Sequence, residues 1–392
     1  MNYNLNDVYI TGTGAYLPGT PIDNEKIEHK LGLVAGKASR YRHKILQSNG
    51  IKKRHYAIDD NGNPNELSEE MAVKAIAQAL AASQLEEKEI DMIAAGTTMP
   101  DLLVPGFASM IHGRLGGQPM DILSCAGVCG AGIAALKAAS HTIRVGQHNN
   151  VVSVAAERPS AFMRGTLFDK YAQAKNEHND KANGYDYFSA EFLRWMLSDG
   201  AGAFVLQNKP ATTHTSLKIE WIETISFANE LDTCMYLGAQ TTRDYNVKSS
   251  WLWENSKALA EKKGKLLLRQ DVKLLSEHIV STTVRALKHL SEKGYLSPDQ
   301  IDHFLPHISS YFFYEKLAEE MHLREVAIPC EKWFTNLENC GNTGSASIYI
   351  MLDEALRRGR FIDSDSVLLM VPESGRFSVS YILLTVVAND NT

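Results

Sequence analysis

At 392 residues the chain has room for two domains or one large double domain, and 44% hydrophobic with 22% charged residues is a globular composition. A formal charge of -6 argues against general nucleic-acid binding, so an anionic partner must meet a local basic patch. No run reaches the length of a membrane span, the first residues lack a signal peptide's basic and apolar regions, and five thinly spread cysteines predict reduced thiols in a cytoplasm. Residues 8–18 read as a β-strand ending in a glycine turn, and a basic, helical-looking segment spans 25–51 with Asn49-Gly50 as a turn signal. The spacing predicts an amphipathic helix over 67–80: Ser68 can cap it, and Met71, Val73, Ile76 and Leu80 recur near helical period. A short buried strand at 90–96 and a helix at 105–115 follow.

The stretch 121–136 starts as an apolar strand, turns on Gly and Ala with Cys125 and Cys129, and enters a helix of small residues that closes at Gly146. A cysteine at the first turn of such a helix meets unsatisfied backbone N–H groups and the positive end of the helix dipole, a setting for a reactive thiolate. A buried structural cysteine is the competing reading. Residues 151–157 form an apolar strand of the kind buried on both faces of a sheet. Residues 165–187 then turn polar and charged, which predicts a long surface excursion. It is either a lid whose aromatic edges (Phe168, Tyr171, Tyr185, Tyr187) fold back over a site, or a mobile insertion. A strand at 203–206 and a linker-like stretch at 208–216 follow.

After the linker the pattern recurs. Leu-Ser-Pro-Asp-Gln-Ile-Asp (296–302) repeats Leu-Glu-Glu-Lys-Glu-Ile-Asp (85–91), each after an amphipathic helix and before a short strand. In that register His307 falls where Gly96 stands, Asn342 where Cys129 stands, and the strand ending at Glu373 matches the one ending at Glu157. The chain therefore reads as a duplicated α/β unit, an N-terminal half (1–208) carrying Cys129 and a C-terminal half (209–392) carrying His307 and Asn342. Packing the halves about a pseudo-twofold buries the small-residue helices face to face and brings Cys129, His307 and Asn342 together.

A thiol, an imidazole and a carboxamide at one point suit thioester chemistry. The thiolate attacks an acyl thioester and holds the acyl group, while His307 and Asn342 donate hydrogen bonds to a second thioester as it becomes an enolate. The Cys129 N–H and one from the turn 373–377 are candidate oxyanion donors. Taken singly, His307 also fits a satisfied core histidine and Asn342 a turn or cap residue; the repeat moves both toward function. Cys125 and Cys129 have no nearby Cys/His pair to complete a metal site, so no metal is expected and Cys125 reads as structural.

At these residues the chain resembles a known family. Cys-Gly-Ala-Gly-Ile-Ala-Ala-Leu (129–136), Ser-Asp-Gly-Ala-Gly-Ala (198–203), Leu-Pro-His (305–307) and Cys-Gly-Asn-Thr-Gly-Ser-Ala-Ser (340–347) look like signatures of β-ketoacyl-acyl-carrier-protein synthase III, in the thiolase superfamily. The resemblance implies an α/β fold of five αβαβα layers, a homodimer, and a Cys-His-Asn site for ping-pong decarboxylative Claisen condensation. It makes Cys129 the nucleophile, gives His307 and Asn342 the enolate, and adds the Gly375 N–H to that of Cys129 in the oxyanion hole. It implies no cofactor; substrates arrive as thioesters of acyl carrier protein or coenzyme A.

The departures from that family are specific. Lys44 and Ser48 stand where a tryptophan and an arginine usually clasp coenzyme A, three extra residues precede Cys129, and Ile-Ser-Ser follows His307. With Ala-Ala-Glu-Arg-Pro-Ser (155–160) and the segment 192–202, they are similar to the branch making dialkylcyclohexanediones, precursors of dialkylresorcinols and stilbene-type pigments, by Claisen condensation and Michael-type ring closure. The lost coenzyme A clasp favours carrier-protein-bound substrates. The branch resemblance places Glu157 in the pocket as base or orienting group and Arg194 as counter-charge; a buried structural ion pair is the alternative. The run Lys257, Lys262, Lys263, Lys265, Arg269 and Lys273 fits either a dock for an acidic carrier protein or a solvated helix face. Housekeeping initiation of fatty-acid synthesis is the competing function. An ester-forming relative has no need of Asn342, and a catalytically dead dimer partner would lack Cys129 or His307.

Overall fold

The computed structural model describes residues 5–177, 184–241 and 247–388. Its strands β1 (Tyr9–Tyr16), β2 (Met92–Thr97), β3 (Asp121–Ala126), β4 (Asn150–Glu157), β5 (Gly200–Gln207), β6 (Ser216–Ser226), β7 (His303–Pro306), β8 (Ser366–Glu373) and β9 (Ser378–Val387) join in one mixed sheet. The order is β7-β8-β9-β6-β1-β5-β4-β2-β3. From the centre it reads alike in both directions. β1, β5, β4 and β2 on one side, and β6, β9, β8 and β7 on the other, are linked by two antiparallel pairings and then a parallel one. β3 extends the first side parallel to β2, and an isolated parallel bridge, Phe304–Trp333, stands outside β7.

Of the helices α1 (Ser68–Ser83), α2 (Phe107–Leu115), α3 (Ala131–Arg144), α4 (Gly165–Glu177), α5 (Gly184–Arg194), α6 (Lys257–Lys262), α7 (Val272–Glu292), α8 (Tyr314–Leu323) and α9 (Ser347–Arg357), α4, α5 and α6 pack with one another and with the short strand at 269–270, and the rest cover the sheet. The period-two alternation of the strands shows how. In β4, Val151 and Ala155 pack with α3 and α9, whereas Val152, Val154 and Ala156 pack with α1 and α2. In β8, Val367, Leu369 and Val371 face the same central helices, and Leu368 and Met370 face α7 and α8. The layers are therefore helix, sheet, central helices, sheet, helix. Burial on both faces is why the strands at 151–156 and 367–371 are apolar on both faces but for Ser153, whose hydroxyl is hydrogen-bonded.

The central contact of α3 with α9 needs small residues. A β-carbon at Gly132 would stand 2.5 Å from the Ser345 carbonyl oxygen and 2.9 Å from the Tyr349 ring, so only glycine fits. Tyr349 fastens the layer: its hydroxyl donates to the Gly132 carbonyl at 2.8 Å and pairs with Ser153 Oγ at 2.7 Å, while its ring stacks on Phe204.

Three expectations are corrected. The segment 25–51 forms two short helices, Ile27–Leu31 and Arg42–Asn49, in place of one. The polar excursion 165–187 is largely helical, as α4 and the start of α5. Phe168, Tyr171 and Ala172 lie on one buried helical face, with Phe168 and Tyr171 packing against Ala190 and Leu267; the side chains of Tyr185 and Tyr187 lie outside the described residues. The basic run is not one solvated helix face. Lys265 is fully buried, its ammonium 2.5 Å from Glu254 and 2.6 Å from Ser249 Oγ, and the buried Arg269 lies over the Tyr171 ring. Among the described residues no helix is long and apolar enough to cross a membrane.

Candidate active site

Cys129 sits in the turn between β3 and α3, where the chain leaves the sheet for the small-residue helix. It is 6% exposed and lines a largely apolar cavity together with Glu157, Asn342, Val128, Met196 and Leu275. Burial pushes the thiol far above its ordinary value, and the charges of Glu373 and Glu157 push the same way.

Asn342 lies just before α9, in the segment that answers to the Cys129 turn. Its backbone is tied to the strand-like approach of β5: its N–H donates to the Met196 carbonyl at 3.1 Å and its carbonyl accepts from the Ser198 N–H at 2.8 Å. The side-chain Oδ1 accepts the Gly344 N–H at 3.0 Å, which orients the amide NH2 as the donor left for a substrate.

Glu157 ends β4 on the same face as Ser153 and Ala155, the face toward the central helices. Four donors converge on its Oε1: the Thr98 N–H at 2.9 Å and hydroxyl at 2.6 Å, and the Ser345 N–H at 3.3 Å and hydroxyl at 2.5 Å. Burial outweighs these donors and raises the carboxyl to about 7. None of these four donors reaches Oε2.

His307 follows β7 and is held by its N–H to the Met370 carbonyl at 2.8 Å. It lines a smaller adjoining cavity, and Ser309 borders both. Burial pulls the imidazole down to about 4, so it is neutral near pH 7, and among the described residues its buried Nε2 has no hydrogen-bond partner.

Two expectations change here. Arg194 does not line the cavity; it is 1% exposed, its Nε donates to the Met163 carbonyl at 2.8 Å, its guanidinium also reaches the Gly32 carbonyl, and it lies over the Phe168 ring. It fastens the wall from behind, because backbone carbonyls rather than a carboxylate claim it. The Gly375 N–H is not open either: it donates to Glu373 Oε1 at 2.7 Å. Glu373, Thr98 and Ser345 were not singled out as site residues. For Glu373 a signal existed, since the repeat matches it with Glu157 at the ends of β8 and β4. Among the described residues no group of three or more His, Cys, Asp or Glu side chains is placed to hold a metal ion.

Residues 291–383 match the family model for the C-terminal part of 3-oxoacyl-[acyl-carrier-protein] synthase III. The β-ketoacyl-[acyl-carrier-protein] synthase III of Paracoccus denitrificans is 27% identical over 93% of this chain and 94% of its own length. Among solved structures, the tetronic acid condensing enzyme AbyA1 superposes with a TM-score of 0.73 at 19% identity, covering 96% of this chain and 99% of its own. Xanthomonas campestris OleA with bound lauric acid and lauroyl-CoA gives 0.71 at 17% identity, covering 97% of this chain and 99% of its own. The chain is thus similar to β-ketoacyl-[acyl-carrier-protein] synthase III enzymes over most of its length, and it is an acyltransferase of the condensing type.

Proposed function

We propose that the enzyme joins two acyl thioesters by Claisen condensation through an acyl-Cys129 intermediate and then closes the product to a dialkylcyclohexanedione by Michael-type addition. In the first half-reaction Cys129 Sγ displaces the carrier thiol from an acyl thioester, and its proton leaves with that thiol. In the second, a β-ketoacyl thioester is turned into an enolate whose oxygen takes hydrogen bonds from His307 Nε2 and the Asn342 amide. Its carbon attacks the acyl-enzyme and frees Cys129. Glu157 is the base. The observation that carries this reading is the Glu157 carboxyl, raised to about 7 in the cavity of Cys129 and Asn342, where it can exchange a proton near neutral pH. The departures at Lys44 and Ser48 favour substrates carried by acyl carrier protein.

We further propose a homodimer. β3 forms one edge of the sheet, with Ile122 39% and Leu123 37% exposed, and a second copy would cover it. The duplication of halves 1–208 and 209–392 is supported by the matched strand order. A second reading, housekeeping fatty-acid initiation, is favoured by the names of the curated relatives.

Product analysis with a β-ketoacyl thioester and a 5-oxo-2-alkenoyl thioester separates the two. A cyclic dione is expected; a linear product alone would reject ring closure, and efficient use of acetyl-CoA with malonyl carrier protein would favour the housekeeping reading. Intact-mass measurement should show an acyl adduct on the wild type and none on Cys129→Ala.

A further inference from the structure

The turn after β8 holds a group that the proposed chemistry does not use. Glu373 bends back along the chain, so that its Oε1 accepts the Gly375 N–H at 2.7 Å and its Oε2 accepts the Arg376 N–H at 3.3 Å and the Ser378 hydroxyl at 3.4 Å. Its arm lies against the nucleophile's turn: a β-carbon at Gly130 would stand 3.5 Å from Glu373 Cγ. Val128, the neighbour of Cys129, also packs close to Gly375: its Cγ2 lies 2.8 Å from where a Gly375 β-carbon would be. The carboxylate thus occupies the Gly375 N–H in a turn that packs against the Cys129 loop. A charged oxygen is a stronger acceptor than the oxygen of a neutral thioester, so an acyl carbonyl is not polarised at Gly375 while Glu373 stays.

We propose that Glu373 is a gate on the oxyanion hole, an internal carboxylate that fills the Gly375 N–H in the resting enzyme and swings away when an acyl thioester enters. The gate rests on Cys129 as nucleophile and Gly375 as oxyanion donor. Glu373 is a positioning residue; no bond or proton changes at it. The reactive state is a minor one until substrate binding selects it, which slows acylation by thioesters too small to displace the arm.

The test sets two reactions of Cys129 side by side. Single-turnover acylation by a short N-acetylcysteamine thioester needs the oxyanion hole; alkylation by iodoacetamide does not. In Glu373→Ala, acylation should accelerate by roughly tenfold or more relative to alkylation, the scale of releasing a charged hydrogen bond. Equal gains in both reactions would reduce Glu373 to a charge acting on the thiol and overturn the gate. So would unchanged or slower acylation in a variant that melts like the wild type. Glu373→Gln keeps the arm but weakens the acceptor; it should fall between wild type and Glu373→Ala, and it carries the test if the alanine variant does not fold. Acylation persisting in Cys129→Ala would instead bring down the nucleophile assignment beneath the gate.

Discussion

Glu157 and His307 are both driven by burial toward their neutral forms, with opposite consequences for pH. Glu157 rises from 4.5 to about 7, so the folded protein binds a proton that the unfolded chain has released, and stability falls as pH rises through that window. His307 falls from 6.5 to about 4, so it contributes stability that is present above pH 6.5 and lost as pH drops through 4. Glu157→Gln keeps an acceptor for the Thr98 and Ser345 donors and removes the buried charge. Its stability advantage over wild type in urea melts should therefore grow between pH 5 and pH 8, to at most roughly 3 kcal/mol. The same variant should still form the acyl-Cys129 adduct while condensing roughly a hundredfold more slowly, and the wild-type condensation rate should climb with pH through about 7. Adduct mass and product yield read the two steps separately.

At the scale of elements, the α3–α9 contact depends on one hydroxyl. Tyr349→Phe leaves the ring on Phe204 but strands the buried Ser153 hydroxyl and removes the bond that ties the ring to the Gly132 carbonyl, and should destabilise the fold by about 1–3 kcal/mol in thermal or urea unfolding. That contact was legible in the sequence, because Ala and Gly at helical spacing in both copies of the repeat signal close approach. The same logic brought Cys129 and Asn342 to one cavity, since their helices are the repeat's matched pair. What stayed hidden depends on partners distant in sequence. The α4 helix shows a dense run of polar residues, and its short apolar stripe makes sense only once Leu267 and Ala190 are beside it. Arg194 was misjudged because its acceptors, the Met163 and Gly32 carbonyls, are backbone atoms and leave no residue signature. Lys265 looked like part of a surface patch because Glu254 and Ser249 reach it only after the chain doubles back.

At the scale of the whole molecule, the sheet has one strand whose outer edge is open and partly apolar. If β3 is the proposed dimer seam, Leu123→Glu should yield a monomer by light scattering, with Cys125 and the cavity left in place; an unchanged dimer would move the seam elsewhere. The centre of the sheet has a different consequence. β1 pairs with β5 from Tyr9↔Gln207 to Tyr16↔Ala201 and touches β6 at Tyr9↔Lys218 and Ile10↔Leu217. The middle strand of the finished sheet is thus among the first made, and its partners lie about two hundred residues downstream. At ordinary rates of synthesis on the ribosome it waits for them roughly ten to forty seconds. During that time Ile10, 1% exposed in the finished fold, has no sheet to enter and no α9 to pack against. The strand that unites the two sides of the enzyme is the one its nascent chain must protect longest.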